Sequence, residues 1–273
     1  MEYLLGKPVS EEIRKKVKEK VLLKKRKPKI CILLNNEDSS SLIYVKAIIK
    51  ACLEVNIDSE VININSEDDY IKYINLINED SLIDACLITR PLLKNVNEEK
   101  IISLLKPSKD VDALNPHALG KILVGNEELI PSTALAMVRM LDYYHIDVKG
   151  KKVLVIGRSI SVGKPISLLL LNRHATVTIA HSRSVDLNNQ LKEYDIIVGA
   201  LGKAQFIDSN LMKEGAIVLD AGIHYVDDKI VGDVLPSEKL SYISKVPGGI
   251  GVITTSCLME NILTCYEVNN NDK

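Results

Sequence analysis

Short apolar runs recur along the first part of the chain, and polar stretches that suit helices separate them. The runs at 29–34, 60–64 and 84–88 are short enough to be buried strands. Residues 41–55 follow a serine-rich start and predict a helix. We therefore expect strand–helix units over roughly the first 120 residues.

The second half repeats this pattern more clearly. Apolar runs predict strands, which lie at 152–156, 176–180, 195–200, 216–220 and 244–246. Helices are expected at 132–144 and at 254–268. The first of these follows Gly120, Gly125 and Pro131, which interrupt regular structure just before it. Short buried strands that alternate with helices are typical of parallel sheets, so the fold class is α/β.

Composition narrows the classes of protein that fit this pattern. The 273 residues allow one large domain or two medium ones, and 46% apolar with 26% charged residues is typical of a globular chain. The net charge of −1 gives no overall field that would attract nucleic acid or an anionic membrane. Five widely spaced cysteines in apolar surroundings and a start without an apolar signal segment indicate a reduced, cytosolic protein.

The strongest motif is VLVIGRSISVGKP at 153–165. A strand that enters a glycine turn and opens a helix is the geometry that binds a dinucleotide pyrophosphate. The G-x-G-x-x-G pattern falls on Gly157, Ser159 and Val162, so the first glycine alone matches, and Gly163 comes one position late. A plain tight turn, with a helix cap at Ser159 or Ser161, explains the motif equally well.

The next strand bears on the choice of cofactor. It ends in Ala180-His181-Ser182-Arg183, without the acid that would bind a ribose 2′-hydroxyl in an NAD site. Arg158 and Arg183 can instead meet a 2′-phosphate, with Ser182 donating a hydrogen bond. Two solvated arginines and a capping serine are the alternative. Together these positions favour NADP over NAD.

Other motifs are less specific. Glycines at 245–255, 220–223 and 232–234 indicate backbone close to a ligand or tight turns. Asp110 and Asp112 form a carboxylate pair or belong to a solvated loop. The histidines are interpreted as surface or core residues, and no His/Cys set has the spacing of metal ligands.

Taken in order, these strings resemble the methylenetetrahydrofolate dehydrogenase/cyclohydrolase (FolD) family over residues 1–268. The strings are SLIYVKAIIKAC, KPSKDVDALNPHALGKILVG, PST, GRSISVGKP, ATVTIAHSRS, DAGI, GDV and VPGGIG. The resemblance implies two α/β domains with a cleft between them, a folate-binding catalytic domain at 1–121 plus 256–273 and a Rossmann-like NADP domain at 122–255. It also implies a cytoplasmic homodimer that acts on tetrahydrofolate derivatives.

The resemblance assigns site residues at the positions that match. Tyr44 and Asp112 are expected to act in catalysis and to bind the folate. A loop expected to close over the folate comprises Pro247, Gly248 and Gly249. The positions expected to hold NADP are Gly157, Arg158, Ser159, Ser182 and Ile223. No metal is expected.

The sequence departs from the family pattern at positions that matter for one of the two family reactions, the hydrolysis of methenyltetrahydrofolate. The family lysine four residues after the tyrosine is Ile48, and the glutamine of V-Q-L-P is Thr89. Ala113 and Val252 replace a glycine and a proline. Lys46 and Lys50 lie about 200° and 240° around the helix from Tyr44, so neither replaces the lysine in place.

We therefore predict NADP-dependent oxidation of 5,10-methylenetetrahydrofolate with weak hydrolysis of the methenyl product. The alternatives are another two-domain NADP oxidoreductase, of the shikimate dehydrogenase kind, and a non-catalytic relative that binds folate or nucleotide. A substrate screen by NADPH absorbance discriminates among the three.

Overall fold

A computed structural model describes residues 1–272, except for the side chains of Ser39 and Ser40. It divides into two compact units. The six-stranded unit comprises Met1–Glu11, Ile122–Glu127 and Pro131–Thr254, and the three-stranded unit comprises Glu12–Lys121, Glu128–Ile130 and residues from 255 onward.

The three-stranded unit is a parallel sheet with helices. Its strands pair in the order β3-β2-β4. Its elements, with α1 beginning and α5 ending in the other unit, are α1 (Gly6–Leu22), β2 (Lys29–Asn35), α2 (Ser39–Glu54), β3 (Asp58–Ile64), α3 (Glu67–Glu79), β4 (Ala85–Ile88), α4 (Glu98–Leu104) and α5 (Pro116–Leu123). Strand β2 is buried over most of its length because it lies in the centre of the sheet.

The six-stranded unit is also a parallel sheet, with strand order β1-β13-β9-β7-β5-β6. Its elements, of which α9 runs on into the other unit, are β1 (Glu2–Leu4), α6 (Ser132–Tyr143), β5 (Lys152–Ile156), α7 (Gly163–Asn172), β6 (Thr176–Ala180), α8 (Leu187–Gln190), β7 (Ile196–Gly199), β8 (Ile207–Asp208), β9 (Ile217–Asp220), β10 (His224–Val226), β11 (Lys229–Val231), β12 (Val234–Leu235), β13 (Tyr242–Ser244) and α9 (Ile250–Asn270). A central core of aliphatic side chains from β5, β7 and β9 is inaccessible to solvent. The expected α/β class with parallel sheets is confirmed.

Some elements differ from the sequence prediction in their bounds or were not predicted. The predicted strand at 244–246 lies at Tyr242–Ser244, and α9 begins at Ile250, four residues before the predicted start at 254. Strand β1 was not predicted, and it pairs in parallel with β13. This pairing puts residues 1–11 in the six-stranded unit, whereas the sequence interpretation grouped 1–121 together.

None of the helices among the described residues is both long enough and apolar enough to cross a membrane. The described residues also contain no cluster of three or more His, Cys, Asp and Glu side chains that could hold a metal ion.

Candidate functional site

The turn between β5 and α7 depends on two glycines. Gly157 has a φ of +135°, and a Cβ atom there would lie 2.1 Å from the carbonyl oxygen of Ala200. A Cβ atom at Gly163 would lie 2.3 Å from the carbonyl oxygen of Gly157. Gly163, although one position late in the motif, therefore permits the close contact between turn and helix that dinucleotide-binding folds require.

The side chain of Ser159 caps the start of α7. Its Oγ accepts hydrogen bonds from the N–H groups of Val162 at 3.2 Å and Gly163 at 3.3 Å. The predicted capping role of Ser159 is thus present in the same turn that carries the two glycines. The turn fits a pyrophosphate because a glycine cradle and a helix N-terminus occur together, with Arg158 exposed beside them.

The loop after β6 exposes the side chains of Ser182 and Arg183, which can therefore contact a ligand. The N–H of His181 donates to Ser184 Oγ at 2.9 Å, and the N–H of Arg183 donates to His181 Nδ1 at 3.1 Å. These bonds order the loop through its backbone, while the Ser182 and Arg183 side chains are exposed and carry no hydrogen bond within the described part of the chain. Ile223 is 58% exposed.

We expect Gly163→Ala to reduce both stability and NADP affinity. The added methyl group would overlap backbone atoms that cannot move independently, which costs about 3 kcal/mol. Gly120 in α5 is the matched control, because a Cβ atom there meets nothing within 4 Å. Gly120→Ala should stabilise the protein by about 0.5–1 kcal/mol. Urea unfolding and NADP titration measure both variants, and equal stability of the two would contradict this account.

Two other glycine turns serve buried carboxylates. Asp220 accepts hydrogen bonds from the N–H groups of Gly222, Asp233 and Val234 at 2.8–3.0 Å. A Cβ atom at Gly232 would lie 2.0 Å from Asp220 Oδ2. These glycines of the DAG and GDV strings therefore make room for a carboxylate of this chain. Burial raises the pKa of Asp220 to about 6, and the N–H groups oppose this shift.

Asp233 holds the loop that faces Gly157. Its carboxylate accepts hydrogen bonds from the N–H groups of Leu201, Gly202 and Lys203 at 2.6–3.0 Å. Nε2 of His224 lies 2.8 Å from Asp233 Oδ1. His224 is thus a structural partner of Asp233.

The loop 245–249 packs on residues near the start of the chain. The N–H of Gly6 donates to the carbonyl oxygen of Gly248 at 2.8 Å, and the N–H of Lys245 donates to that of Leu4 at 3.1 Å. Gly248 has a φ of +110°, and a Cβ atom at Gly249 would lie 2.5 Å from the carbonyl oxygen of Lys245. Pro247, Gly248 and Gly249 therefore belong to the six-stranded unit, at the start of α9.

Tyr44 and Asp112 lie close together in the three-stranded unit, with Arg90 as their neighbour. Burial raises the pKa of the Tyr44 phenol; Asp112 adds to this shift and Arg90 opposes it. Burial likewise raises the pKa of Asp112, and Arg90 again opposes the shift. The predicted pair is thus brought into one electrostatic cluster, and Arg90 completes it.

The turn that carries Asp112 is stabilised by a hydrogen bond to the side chain of Asp110. Asp110 Oδ2 accepts a hydrogen bond from the N–H of Asn115 at 2.6 Å. Burial raises the pKa of Asp110 to about 6, and the backbone N–H groups oppose the shift. Ala113 adopts a φ of +54°, which is the conformation that the family glycine would adopt without strain. The KDVDA segment is therefore an ordered turn rather than a solvated loop.

Positions 48 and 89 are both unavailable to a ligand. Ile48 is 0% exposed. The Thr89 hydroxyl donates to the carbonyl oxygen of Leu33 at 3.1 Å and accepts from the N–H of Asn35 at 3.1 Å, so its hydrogen bonds are made within the sheet. Lys46 and Lys50 are exposed, and α2 is a regular helix through both.

Lys109, the lysine of the KDVD string, is also already hydrogen-bonded within the chain. Its ammonium donates to the carbonyl oxygens of Ile77 at 2.5 Å and Asp80 at 2.6 Å, at the end of α3. Burial lowers the pKa of Lys109. Lys109 is therefore a structural donor that ties the turn to α3.

Two family models match the chain. Residues 4–112 match the tetrahydrofolate dehydrogenase/cyclohydrolase catalytic domain, and residues 131–270 match the NAD(P)-binding domain of the same enzymes. A curated relative, the bifunctional protein FolD of Dictyoglomus turgidum, is 42% identical over 269 residues, which is 95% of this chain and 96% of the relative.

Solved structures give the same result. The bifunctional FolD enzyme of Campylobacter jejuni superposes with a TM-score of 0.95 at 34% identity, covering 98% of this chain and 99% of that one. The FolD enzyme of Trypanosoma brucei, crystallised with NADP cofactor and an inhibitor, superposes with a TM-score of 0.92 at 28% identity, with 97% of each chain covered.

Proposed function

The chain belongs to the tetrahydrofolate dehydrogenase/cyclohydrolase family, and we propose that it is chiefly the dehydrogenase of that pair. It is an NADP-dependent enzyme that oxidises 5,10-methylenetetrahydrofolate to 5,10-methenyltetrahydrofolate. The observation that carries the emphasis on the dehydrogenase is that Ile48 is fully buried and that the Thr89 hydroxyl is already bonded within the sheet. Family membership makes the shikimate dehydrogenase alternative unnecessary.

Bound NADP supplies the acceptor for the hydride. In the six-stranded unit we assign its pyrophosphate to the turn of Gly157 and Ser159, because the helix dipole at the start of α7 favours a negative charge there. Arg158 and Ser182 are exposed and are assigned to the 2′-phosphate. Ile223 is assigned to the same ligand by its match to the family position. Positioning is the main demand of this step, because the lone pairs of the two folate nitrogens drive hydride departure.

In the three-stranded unit, Asp112 is assigned to the amino-pyrimidine edge of the pterin. A carboxylate accepts paired N–H bonds from such an edge. Tyr44 keeps its proton at neutral pH, since a phenol ordinarily ionises at about pH 10 and burial raises its pKa further, so it acts as a hydrogen-bond donor or acceptor and not as a base. Pro247, Gly248 and Gly249 are assigned to the loop that covers the folate.

The second family reaction needs a group that changes its protonation. Water adds to the methenyl carbon, and protons then move as the ring opens. Ile48 supplies no proton, Thr89 and Lys109 are bonded to main-chain groups, and an arginine stays charged at neutral pH. We therefore propose that hydrolysis of the methenyl product is slow.

Purified protein with methylenetetrahydrofolate and NADP tests this function directly. Absorbance separates methenyl from 10-formyl products. We expect methenyltetrahydrofolate to accumulate before it hydrolyses. Binding of both ligands without any turnover would select the non-catalytic alternative.

We expect Arg158→Ala to remove most of the preference for NADP over NAD. A charged hydrogen bond to the 2′-phosphate contributes about 1.5–3 kcal/mol, which is roughly a 10- to 150-fold difference in affinity. Arg173 is the control, because its guanidinium bonds Glu127 at 2.9 Å, away from the turn. Arg173→Ala should leave the NADP/NAD ratio unchanged. Equal affinity of the unaltered protein for the two cofactors would contradict this assignment.

We also propose that the protein is a cytoplasmic homodimer. None of the five cysteines forms a disulfide bond and all five are buried, which suits a reducing compartment. The homodimer rests on the family pattern, and analytical ultracentrifugation measures it.

A further inference from the structure

Arg90 and Asp112 line one cavity of the three-stranded unit. The cavity is small, with a volume of about 10 Å³; Asp110 also lines it, and the rest of the lining is apolar, including Ile88 and Leu114. The family segment V-Q-L-P has an apolar residue where this chain has Arg90. A cation therefore lies beside the proposed pterin carboxylate in the same chain whose family lysine, at position 48, is an isoleucine.

The backbone of Arg90 is tied to the helix that carries Tyr44. Ser41, in the first turn of α2, donates from Oγ to the carbonyl oxygen of Arg90 at 3.3 Å. Tyr44 follows Ser41 by three residues on that helix. Burial raises the pKa of Tyr44 and of Asp112, and the positive charge of Arg90 opposes this rise at both residues, as a nearby cation should.

The guanidinium retains donors for a ligand. Nη1 of Arg90 lies 3.4 Å from Oε1 of Glu98, and the two side chains are 31% and 45% exposed. An ion pair this exposed holds its partners weakly. A guanidinium has five N–H donors, so one contact leaves the others available.

We propose that Arg90 is a specificity-determining residue that donates a hydrogen bond to the 4-oxo oxygen of the pterin. The inference rests on the proposed function, because it takes Asp112 as the partner of the same ring. The ring edge presents a 2-amino group and an N3–H as donors, followed by the 4-oxo oxygen as an acceptor. A carboxylate complements the two donors, and an adjacent guanidinium complements the acceptor.

This assignment separates binding from proton transfer. A lysine with a lowered pKa can bind the folate and also exchange protons, whereas arginine keeps its charge at every working pH. Arg90 therefore replaces the charge of the missing lysine and leaves its acid–base role unfilled. A folate site with a cation at position 90 serves hydride transfer, which needs orientation and no protein base.

Steady-state kinetics of three variants test Arg90. In the dehydrogenase assay, Arg90→Leu should raise the KM for methylenetetrahydrofolate roughly 10- to 150-fold and change kcat within a few-fold. Arg90→Lys should recover part of the loss. Glu98→Gln removes the ion-pair partner alone and should behave as the unaltered protein. An unchanged KM in Arg90→Leu, or an equal loss in Glu98→Gln, would overturn the proposal.

Binding of folic acid and pteroic acid tests whether Arg90 contacts the pteroyl group or the glutamate of the ligand. Pteroic acid keeps the pterin and lacks the glutamate. If Arg90→Leu weakens both ligands equally, the contact is to the pterin; if pteroic acid binds equally to both proteins, the contact is to the glutamate and the assignment is wrong. Isothermal titration calorimetry measures these affinities without any turnover. The role of Arg90 can therefore be tested even if the unaltered protein shows no dehydrogenase activity. Such inactivity would refute only the proposed function. Circular dichroism verifies that each variant is folded.

Discussion

Asp112→Ala should abolish measurable folate binding and leave NADP binding unchanged. Two charge-assisted hydrogen bonds to the pterin edge contribute about 1.5–3 kcal/mol each, so their loss weakens binding by roughly 10²- to 10⁴-fold. Isothermal titration with folic acid and, separately, with NADP measures both affinities. A folate affinity that stays within a few-fold of the original would show that the KDVDA turn has no part in binding.

A second substitution at position 112, Asp112→Asn, carries a stability prediction. Burial raises the pKa of Asp112, so the folded protein holds that proton more tightly than the unfolded chain does. The stability associated with the protonated form is lost as the pH rises through the folded-state pKa, and the ionised carboxylate is a cost at neutral pH. We therefore expect Asp112→Asn to have a melting temperature at pH 7 equal to or above that of the unaltered protein. A large fall in the melting temperature would mean that loss of binding reflects misfolding.

The unaltered protein should hydrolyse methenyltetrahydrofolate at little more than the spontaneous rate. General acid–base groups contribute about 10²- to 10⁴-fold to such steps, and the positions that would supply them hold Ile48 and Thr89. The double change Ile48→Lys with Thr89→Gln should raise the hydrolysis rate by roughly a hundredfold. Stopped-flow absorbance of the methenyl chromophore measures it in the absence of NADP.

Each single change should do less than the double change. Ile48→Lys places an ammonium in a fully buried position, where desolvation disfavours the charged form, and no glutamine is present to tune it. Thr89→Gln removes the hydroxyl that bonds Leu33 and Asn35, at about 1 kcal/mol for each hydrogen bond. Lys46→Ala and Lys50→Ala are the controls, because both side chains are exposed, and neither should alter the rate. A cyclohydrolase rate that matches the dehydrogenase rate in the unaltered protein would refute this view.

Local sequence was sufficient for most of the secondary structure. Strand β5 lies at its predicted bounds, because a parallel strand buried on both faces is a short apolar run. Strand β6 also lies at its predicted bounds, although it is the half-exposed edge strand of the sheet. Strand β1 has three residues and a single buried side chain, so its pattern carries no such signal. Its pairing partner, β13, is more than 200 residues away, and only the folded chain brings the two together.

The sequence by itself determined the α/β class, the family and the departures at positions 48 and 89, because these depend on residue identity and order alone. The tertiary structure decided what several of those residues do. Gly163 permits close packing of α7, Gly232 makes room for Asp220, and the Thr89 hydroxyl bonds within the sheet. Arg90 joins Asp112 in one cavity. Each of these facts is a contact between residues that the sequence separates, and such contacts depend on the path of the chain.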